Sequence, residues 1–375
     1  MTNKGRRSTD VSRNEVLSPR ERTLRQFRRQ PVDRMPKTLD VGASPGIDIK
    51  YMEIFHRHTG SDNPAEYFSY DIRPVPVVLT PQTQDFTPYY DSLPQGVVFD
   101  EFGVGRLQGE DFPLGMEFHP WAKFHTPAQI VEYPFPTFEP SLDLVHAIRR
   151  LQEQGYAVSA SSGSLNEWCY SLRGMEEFLV DLLDRPEMAE AILNRVWSLV
   201  FSMTKHLAEI GVDILCVYGD MGSQDRLLFS PILWKRWFFP RWKSIVDTVR
   251  RVNPETLVLY HSCGAIEPII PGLIEAGFNI LNPVQPEAMD PLKIKRTYGD
   301  SICLWGGIGM QSTMLKSDIQ SVREDVTRMV EGWAPGGGAI VTVAQTILPD
   351  VPWENVEVLC ATVEEVSQRI YYYTS

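Results

Sequence analysis

The chain has 375 residues, 43% of them hydrophobic, enough to bury a sizeable core in two ordinary domains or one large one. Its net charge of -12 and pI near 5.2 exclude a general affinity for nucleic acid, which needs a net basic surface to displace counterions from phosphates. No run approaches the ~20 apolar residues that span a bilayer, and five cysteines without a CxxC pair make no disulfide framework. A protein of the reducing cytoplasm, engaging neither nucleic acid nor membrane, is expected.

Residues 1–17 are polar and basic, with no apolar h-region after Lys4, Arg6, Arg7 and Arg13, and are predicted to be a disordered tail. Residues 18–375 then form a single domain. Ser18-Pro19-Arg20-Glu21 reads as a helix start, with Ser as N-cap, Pro at the first position and Glu at the third, and the helix ends before Pro31. Residues 36–140 are rich in proline and aromatics, with an apolar run at Val75-Pro76-Val77-Val78-Leu79 and a predicted hairpin through Val97–Gly103.

From residue 141 the pattern becomes regular. A helix over Ser141–Gly155 precedes a strand at Tyr156–Ala160. Helical stretches from Gly174 to Gly211 lead to a strand at Asp213–Tyr218. Further strands are predicted at Thr256–His261, Phe278–Asn282, Ile302–Gly306 and Ala339–Val343, separated by helices starting near Pro231, Ile266, Pro291, Ser317 and Glu354. Six strands in this part, with one or two more from residues 36–140, predict an α/β fold: a closed (β/α)8 TIM barrel with an N-terminal extension and inserted loops over its mouth. A doubly wound sheet would announce itself by a glycine-rich phosphate turn, and there is no GxGxxG or GxxxxGK[ST]. In such barrels the working residues sit at strand C-termini.

Tyr260-His261-Ser262-Cys263-Gly264 closes one strand. Residues i and i+2 of a strand face the same side, so His261 and Cys263 can offer an imidazole and a thiolate to one metal, a set suited to Zn2+. Gln345, Asp220 and Cys303 are open as third ligand. The alternative makes His261 a catalytic or substrate hydrogen-bonder and Cys263 a small buried filler. Tyr218-Gly219-Asp220-Met221-Gly222-Ser223-Gln224 follows another strand, where Asp220 can act as a base, hold a metal or cap the next helix. Trp305-Gly306-Gly307-Ile308-Gly309-Met310-Gln311 brings backbone close to a ligand or makes a plain tight turn. Asp71 and Arg73 either pair with each other or reach the pocket.

The run His261-Ser-Cys-Gly264, then Pro271-Gly-Leu-Ile-Glu-Ala-Gly277, Leu281-Asn-Pro-Val-Gln-Pro286, Trp305-Gly-Gly307 and Pro349-Asp-Val-Pro352, resembles the uroporphyrinogen decarboxylase superfamily. So do Pro31-Val-Asp-Arg-Met-Pro36 and Ser230-Pro-Ile-Leu-Trp234. The superfamily holds porphyrinogen decarboxylases and zinc-dependent methyltransferases that work with corrinoid proteins. Decarboxylases carry an arginine-rich stretch after the first Pro-Val strand, where this chain reads Leu39-Asp-Val-Gly-Ala-Ser-Pro-Gly46 without an arginine. Asp71 lies where they place a catalytic aspartate. The methyltransferase branch has a His-x-Cys pair that His261 and Cys263 match, and its coenzyme M members add a late cysteine that Val343-Ala-Gln-Thr346 lacks.

The resemblance therefore implies Zn2+ on His261, Cys263 and Gln345, with Asp220, Asp71 and His261 in catalysis. Tyr218, Gln224, Arg73, Gln285, Trp305, Gly307 and Gln311 would bind substrate or cofactor. The methyl group would move between a small methylated compound (methoxy, amine or thiol) and a corrinoid (cobalamin) carried by a partner protein, in a chain that family analogy makes a homodimer. The alternative is a decarboxylase of a porphyrinogen or other carboxylated substrate.

Overall fold

Strands buried on both faces read as continuous apolar runs, and the six predicted in the regular part form as strands of one parallel sheet. The computed structural model describes residues 17–80, 83–109 and 112–374, so nearly all of the predicted basic tail lies outside the described residues. The strands are β1 (Ile72–Val75), β2 (Val98–Phe99), β3 (Gly105–Gly109), β4 (Phe112–Phe118), β5 (Ala157–Ser164), β6 (Ile214–Tyr218), β7 (Leu257–His261), β8 (Ile280–Asn282), β9 (Cys303–Ile308) and β10 (Ala339–Val343). A seven-stranded parallel sheet runs β1-β5-β6-β7-β8-β9-β10, and β2-β3-β4 form a small antiparallel sheet that contains the predicted hairpin.

The expected eighth strand is absent among the described residues. In its place residues 35–41 run between β10 and β1 as irregular chain. The Lys37 carbonyl accepts from the Asp71 N–H, the Thr38 carbonyl from Thr342 Oγ1, and the Asp40 carbonyl from Trp305 Nε1. Pro36 and the glycines and proline of 42–46 work against a regular strand here. The fold is thus a curled, TIM-barrel-like sheet whose ladder is not closed by strand pairing.

Alternate residues of each strand fill the sheet's interior: Ile72, Ala157, Ile214, Cys216, Leu257, Leu259, Ile280, Cys303, Trp305 and Ile340 form one buried cluster with Phe27. The much larger second cluster lies mainly between strands and surrounding helices. The helix Pro19–Phe27 starts on the predicted capping box, with Ser18 and Glu21 bonded reciprocally. It seals the N-terminal end of the sheet. Gln26 Nε2 donates to the Ala339 carbonyl, Arg20 pairs with Asp213, and Phe27 stacks on Trp305 with centroids 6.0 Å apart.

That end also holds a buried charge knot. The Asp71 carboxylate, fully buried, accepts from Arg22, from both Nη atoms of Arg34 and from the Lys37 N–H. Arg22 in turn holds Asp33 through Nε and Nη2. Asp71 stands just before β1, at the end of the sheet away from the mouth, so its expected catalytic role is corrected to a structural one. Arg73 pairs with Glu66 and stacks on Tyr156 at 4.3 Å. In β1 it alternates with the interior residue Ile72 and faces out of the sheet, so it neither pairs with Asp71 nor binds substrate there.

The C-terminal end remains open. No helix among the described residues is long and apolar enough to cross a membrane.

Candidate metal centre

The interior parity that buries Leu257 and Leu259 points His261, at the C-terminal end of β7, into the same interior one layer higher. Ile214 and Cys216 do the same for Tyr218, and Ile280 for Asn282. Strand register pairs Tyr218 with His261 and His261 with Asn282, so three neighbouring strands set these side chains in a row.

Asn282 fixes the protonation of the imidazole. Its Nδ2 donates to the Trp305 carbonyl at 3.1 Å, which turns Oδ1 toward His261 Nδ1 at 2.5 Å. Nδ1 must then carry the proton, leaving the Nε2 lone pair free. Nε2 lies 3.5 Å from Cys263 Sγ and 3.7 Å from Asp220 Oδ1. Donor atoms of Asp220, His261 and Cys263 all lie within 4.8 Å of one another. A nitrogen and a sulfur on one tetrahedral zinc, at roughly 2.0 and 2.3 Å from it, are about 3.5 Å apart, so the existing pair has the right spacing.

The electrostatics point the same way. Burial lowers the His261 pKa against the opposing effect of Asp220, keeping the ring a neutral ligand. Burial, reinforced by Asp220, pushes the Cys263 thiol up to about 12, so a cation is what would make it a thiolate near neutrality. Three protein donors and an open side match the arrangement of a catalytic rather than a closed structural zinc.

Two of the residues open as third donor stand at the pair. Gln345, in the turn after β10, donates its Nε2 to Cys263 Sγ at 2.9 Å, and Asp220 brings a carboxylate oxygen within reach of both His261 and Cys263. Asp220 Oδ1 also accepts from the Cys263 N–H at 2.8 Å. Cys303 lies near the sealed end, donating to the Phe27 carbonyl, and cannot reach the site.

The centre opens into a cavity of about 470 Å3 whose lining includes Ser44, Ser164, Glu167, Trp168, Tyr218 and Gln345. Tyr218 is therefore at the mouth as expected. Its hydroxyl donates to the Val41 carbonyl and accepts from the Ala43 N–H and Ser44 Oγ, pinning the irregular segment across the opening.

The other expected binding residues are not in this lining. Trp305 is buried one layer below, and Gly307 exists for packing, because a Cβ there would lie 2.8 Å from Trp333. Gln285 accepts from the Gly264 N–H, Gln224 donates to the Glu287 carbonyl, and the Gln311 N–H bonds Glu287. These three tie rim loops together. The loops after β6 and β7 touch so closely that a Cβ on Gly264 would lie 2.5 Å from Gly222, at a φ of +83° that already favours glycine.

Sequence reasoning missed Glu167 and Asn282. β5 runs to Ser164, four residues beyond the predicted end, and this carries Glu167 into the mouth. Glu167 Oε1 accepts from the Asp220 N–H at 2.6 Å, its Oε2 is closed off without a partner among the described residues, and burial with Asp220's charge raises its pKa to about 7. Asn282 had the signal of lying at a strand end beside the His261 strand.

An inward-facing His-x-Cys pair with a carboxylate, at the open end of a TIM-barrel-like sheet, is a group of side chains that could hold a metal ion. The family model described as uroporphyrinogen decarboxylase (URO-D) matches residues 120–366, and the chain belongs to that family. The matched span takes in Asp220, His261 and Cys263 and leaves out Asp71 and the Pro31–Pro36 motif. Uroporphyrinogen decarboxylases of Legionella pneumophila, strains Corby and Paris, are each 23% identical over 250 residues, covering 63% of this chain and 67% of theirs. A methyltransferase from Methanosarcina mazei has the same fold, with a TM-score of 0.63 at 18% identity, over 95% of this chain and 99% of that one.

Proposed function

We propose that the chain is a zinc-dependent methyltransferase that moves a methyl group between a small methylated substrate and a corrinoid held by a partner protein. The observation that carries the reading is the Asp220, His261 and Cys263 cluster, with the free nitrogen of His261 set toward the other two by Asn282. These three residues would hold zinc, which would supply a Lewis acid toward a methyl donor's heteroatom or an acceptor thiol.

The chain's own groups do the remaining work. Asn282 keeps the imidazole proton on Nδ1. Gln345 donates to the sulfur and tempers its charge. Tyr218 holds residues 41–44 against the opening, and the Asp220 carboxylate is positioned by its bond to the Cys263 N–H. The Methanosarcina neighbour's description supports this reading at the level of the class.

A decarboxylase reading has the family's description and the Legionella relatives behind it. It loses its expected acid to the knot at the sealed end, and the cavity lining contains neither arginine nor lysine to grip substrate carboxylates.

The test is single-turnover transfer. Zinc-loaded protein is mixed with a methylated donor and reduced cobalamin, and the cobalt absorbance is followed. Methylation of the corrinoid by the wild type, reduced at least 100-fold in Cys263→Ala, is expected. Release of CO2 from a carboxylated substrate, unchanged in Cys263→Ala, would replace the proposal with the decarboxylase.

A further inference from the structure

Asp220 serves a metal only while its carboxylate stays aimed at His261 and Cys263, yet its side chain is 39% exposed. Its direction therefore depends on how firmly the turn beneath it is held. Residues 219–221 follow the end of β6, and every polar group of their backbone is bonded. The Gly219 N–H donates to the His261 carbonyl and the Met221 carbonyl accepts from the Leu228 N–H. The other four groups are held by side chains. Tyr260 Oη donates to the Gly219 carbonyl at 2.8 Å, and Ser262 Oγ accepts from the Met221 N–H at 3.0 Å. These two residues stand on either side of His261 and hold the turn before and after Asp220.

Asp220 itself is gripped from both sides by two consecutive residues. Asn166 Nδ2 donates to the Asp220 carbonyl at 2.6 Å, and Glu167 Oε1 accepts from the Asp220 N–H at 2.6 Å. Both open the helix Asn166–Arg173, directly after β5. A carbonyl can only accept, which settles the orientation of the Asn166 amide. A carboxyl oxygen accepts in either protonation state, so the Glu167 bond needs no charge. Asn166 is fully buried, and Gly219 lets it come close, because a Cβ at 219 would lie 2.7 Å from Asn166 Oδ1.

We propose that Asn166 and Glu167 are a positioning pair for the third donor: they clamp the backbone of Asp220 so that its carboxylate faces His261 and Cys263. The proposal rests on the reading of Asp220, His261 and Cys263 as a metal centre. In this role neither residue touches the metal; both act through Asp220. Groups behind a ligand that fix its direction govern metal affinity by about 10–100-fold. A clamp that served only to fold the turn would contribute to stability and leave the affinity unchanged.

The test is Co2+ binding to the metal-free full chain, measured by chelator competition and by the visible absorbance of thiolate-bound Co2+, with amide hydrogen exchange at Asp220 followed in the same proteins. Glu167→Ala should weaken Co2+ about tenfold or more and speed exchange of the Asp220 N–H by a similar factor. Glu167→Gln keeps an acceptor and loses the carboxylate, and it should stay within about threefold of the wild type in both. Asn166→Ala removes the bond to the carbonyl and should weaken Co2+ about tenfold or more, which keeps the test available if the Glu167→Ala chain does not fold. Unchanged Co2+ affinity in the folded alanine variants would overturn the proposal and leave the metal centre standing. An equal loss in Glu167→Gln and Glu167→Ala would also overturn it, by assigning the effect to charge. No Co2+ uptake by the wild type would sink the metal reading, and the proposal with it.

Discussion

Replacing Asp71 by alanine separates a structural aspartate from a catalytic one. The carboxylate is fully buried and accepts from two guanidinium groups, whose side chains are 5% and 13% exposed, and from one backbone N–H. Removing it takes the buried carboxylate from Arg34 and leaves Arg22 with Asp33 alone, and breaking a buried pair in this way costs about 3–5 kcal/mol. Unfolding entropy near 2.1 cal/mol/K per residue amounts to roughly 0.8 kcal/mol/K for a chain of this length, so Tm should fall by ~4–6 °C. Differential scanning calorimetry at pH 7 measures the shift, and Asp71→Asn, which keeps an acceptor for Arg22 or Arg34, should lose less. Zinc uptake by the folded variant at 25 °C should match the wild type. An unchanged Tm together with lost activity would refute the structural assignment and return Asp71 to catalysis.

Asn282→Leu removes the acceptor that holds the proton on His261 Nδ1 and should weaken zinc about 10–100-fold in chelator competition, with Asn282→Asp recovering most of the affinity; equal affinity in all three would show that the bond does not orient the ring. Asp40 is buried, and burial raises its pKa to about 6, above its unfolded value near 3.9. Its ionisation therefore opposes folding: stability should fall as pH rises from ~4 to ~6 and stay level above, a penalty of about 3 kcal/mol at pH 7. Asp40→Asn should stabilise the protein in urea titrations at pH 7 and not at pH 4, and an equal effect at both would contradict this. Gly264→Ala should destabilise by about 1–3 kcal/mol, because its φ is +83° and the loop after β6 lies against it; a change under 0.5 kcal/mol in the same titrations would contradict that.

The regular half of the fold was legible because strands buried on both faces leave unbroken apolar runs and the helices between them keep a 3.6-residue period. The His261-x-Cys263 pair was legible for a related reason: a strand fixes the direction of alternate side chains without knowledge of anything else. Residues 36–46 misled because the position of an eighth strand is held by side-chain and single backbone bonds to Thr342, Trp305 and Asp71, which leave no periodicity. Asp71 misled because the resemblance set it where decarboxylases place a catalytic aspartate, and a position in sequence does not say at which end of the sheet an acid stands. Its partners Arg22 and Arg34 are 49 and 37 residues away in sequence. Glu167 and Asn282 escaped because their roles depend on contacts with Asp220 and His261 across strand register rather than on their neighbours in the chain.

The central claim is that Asp220, His261 and Cys263 hold a metal, and metal content tests it most directly. Elemental analysis of protein purified without chelator should find about one zinc per chain, lost in His261→Ala and Cys263→Ala and strongly depleted in Asp220→Ala. No bound zinc, and no uptake when zinc is supplied to the folded wild type, would contradict the account.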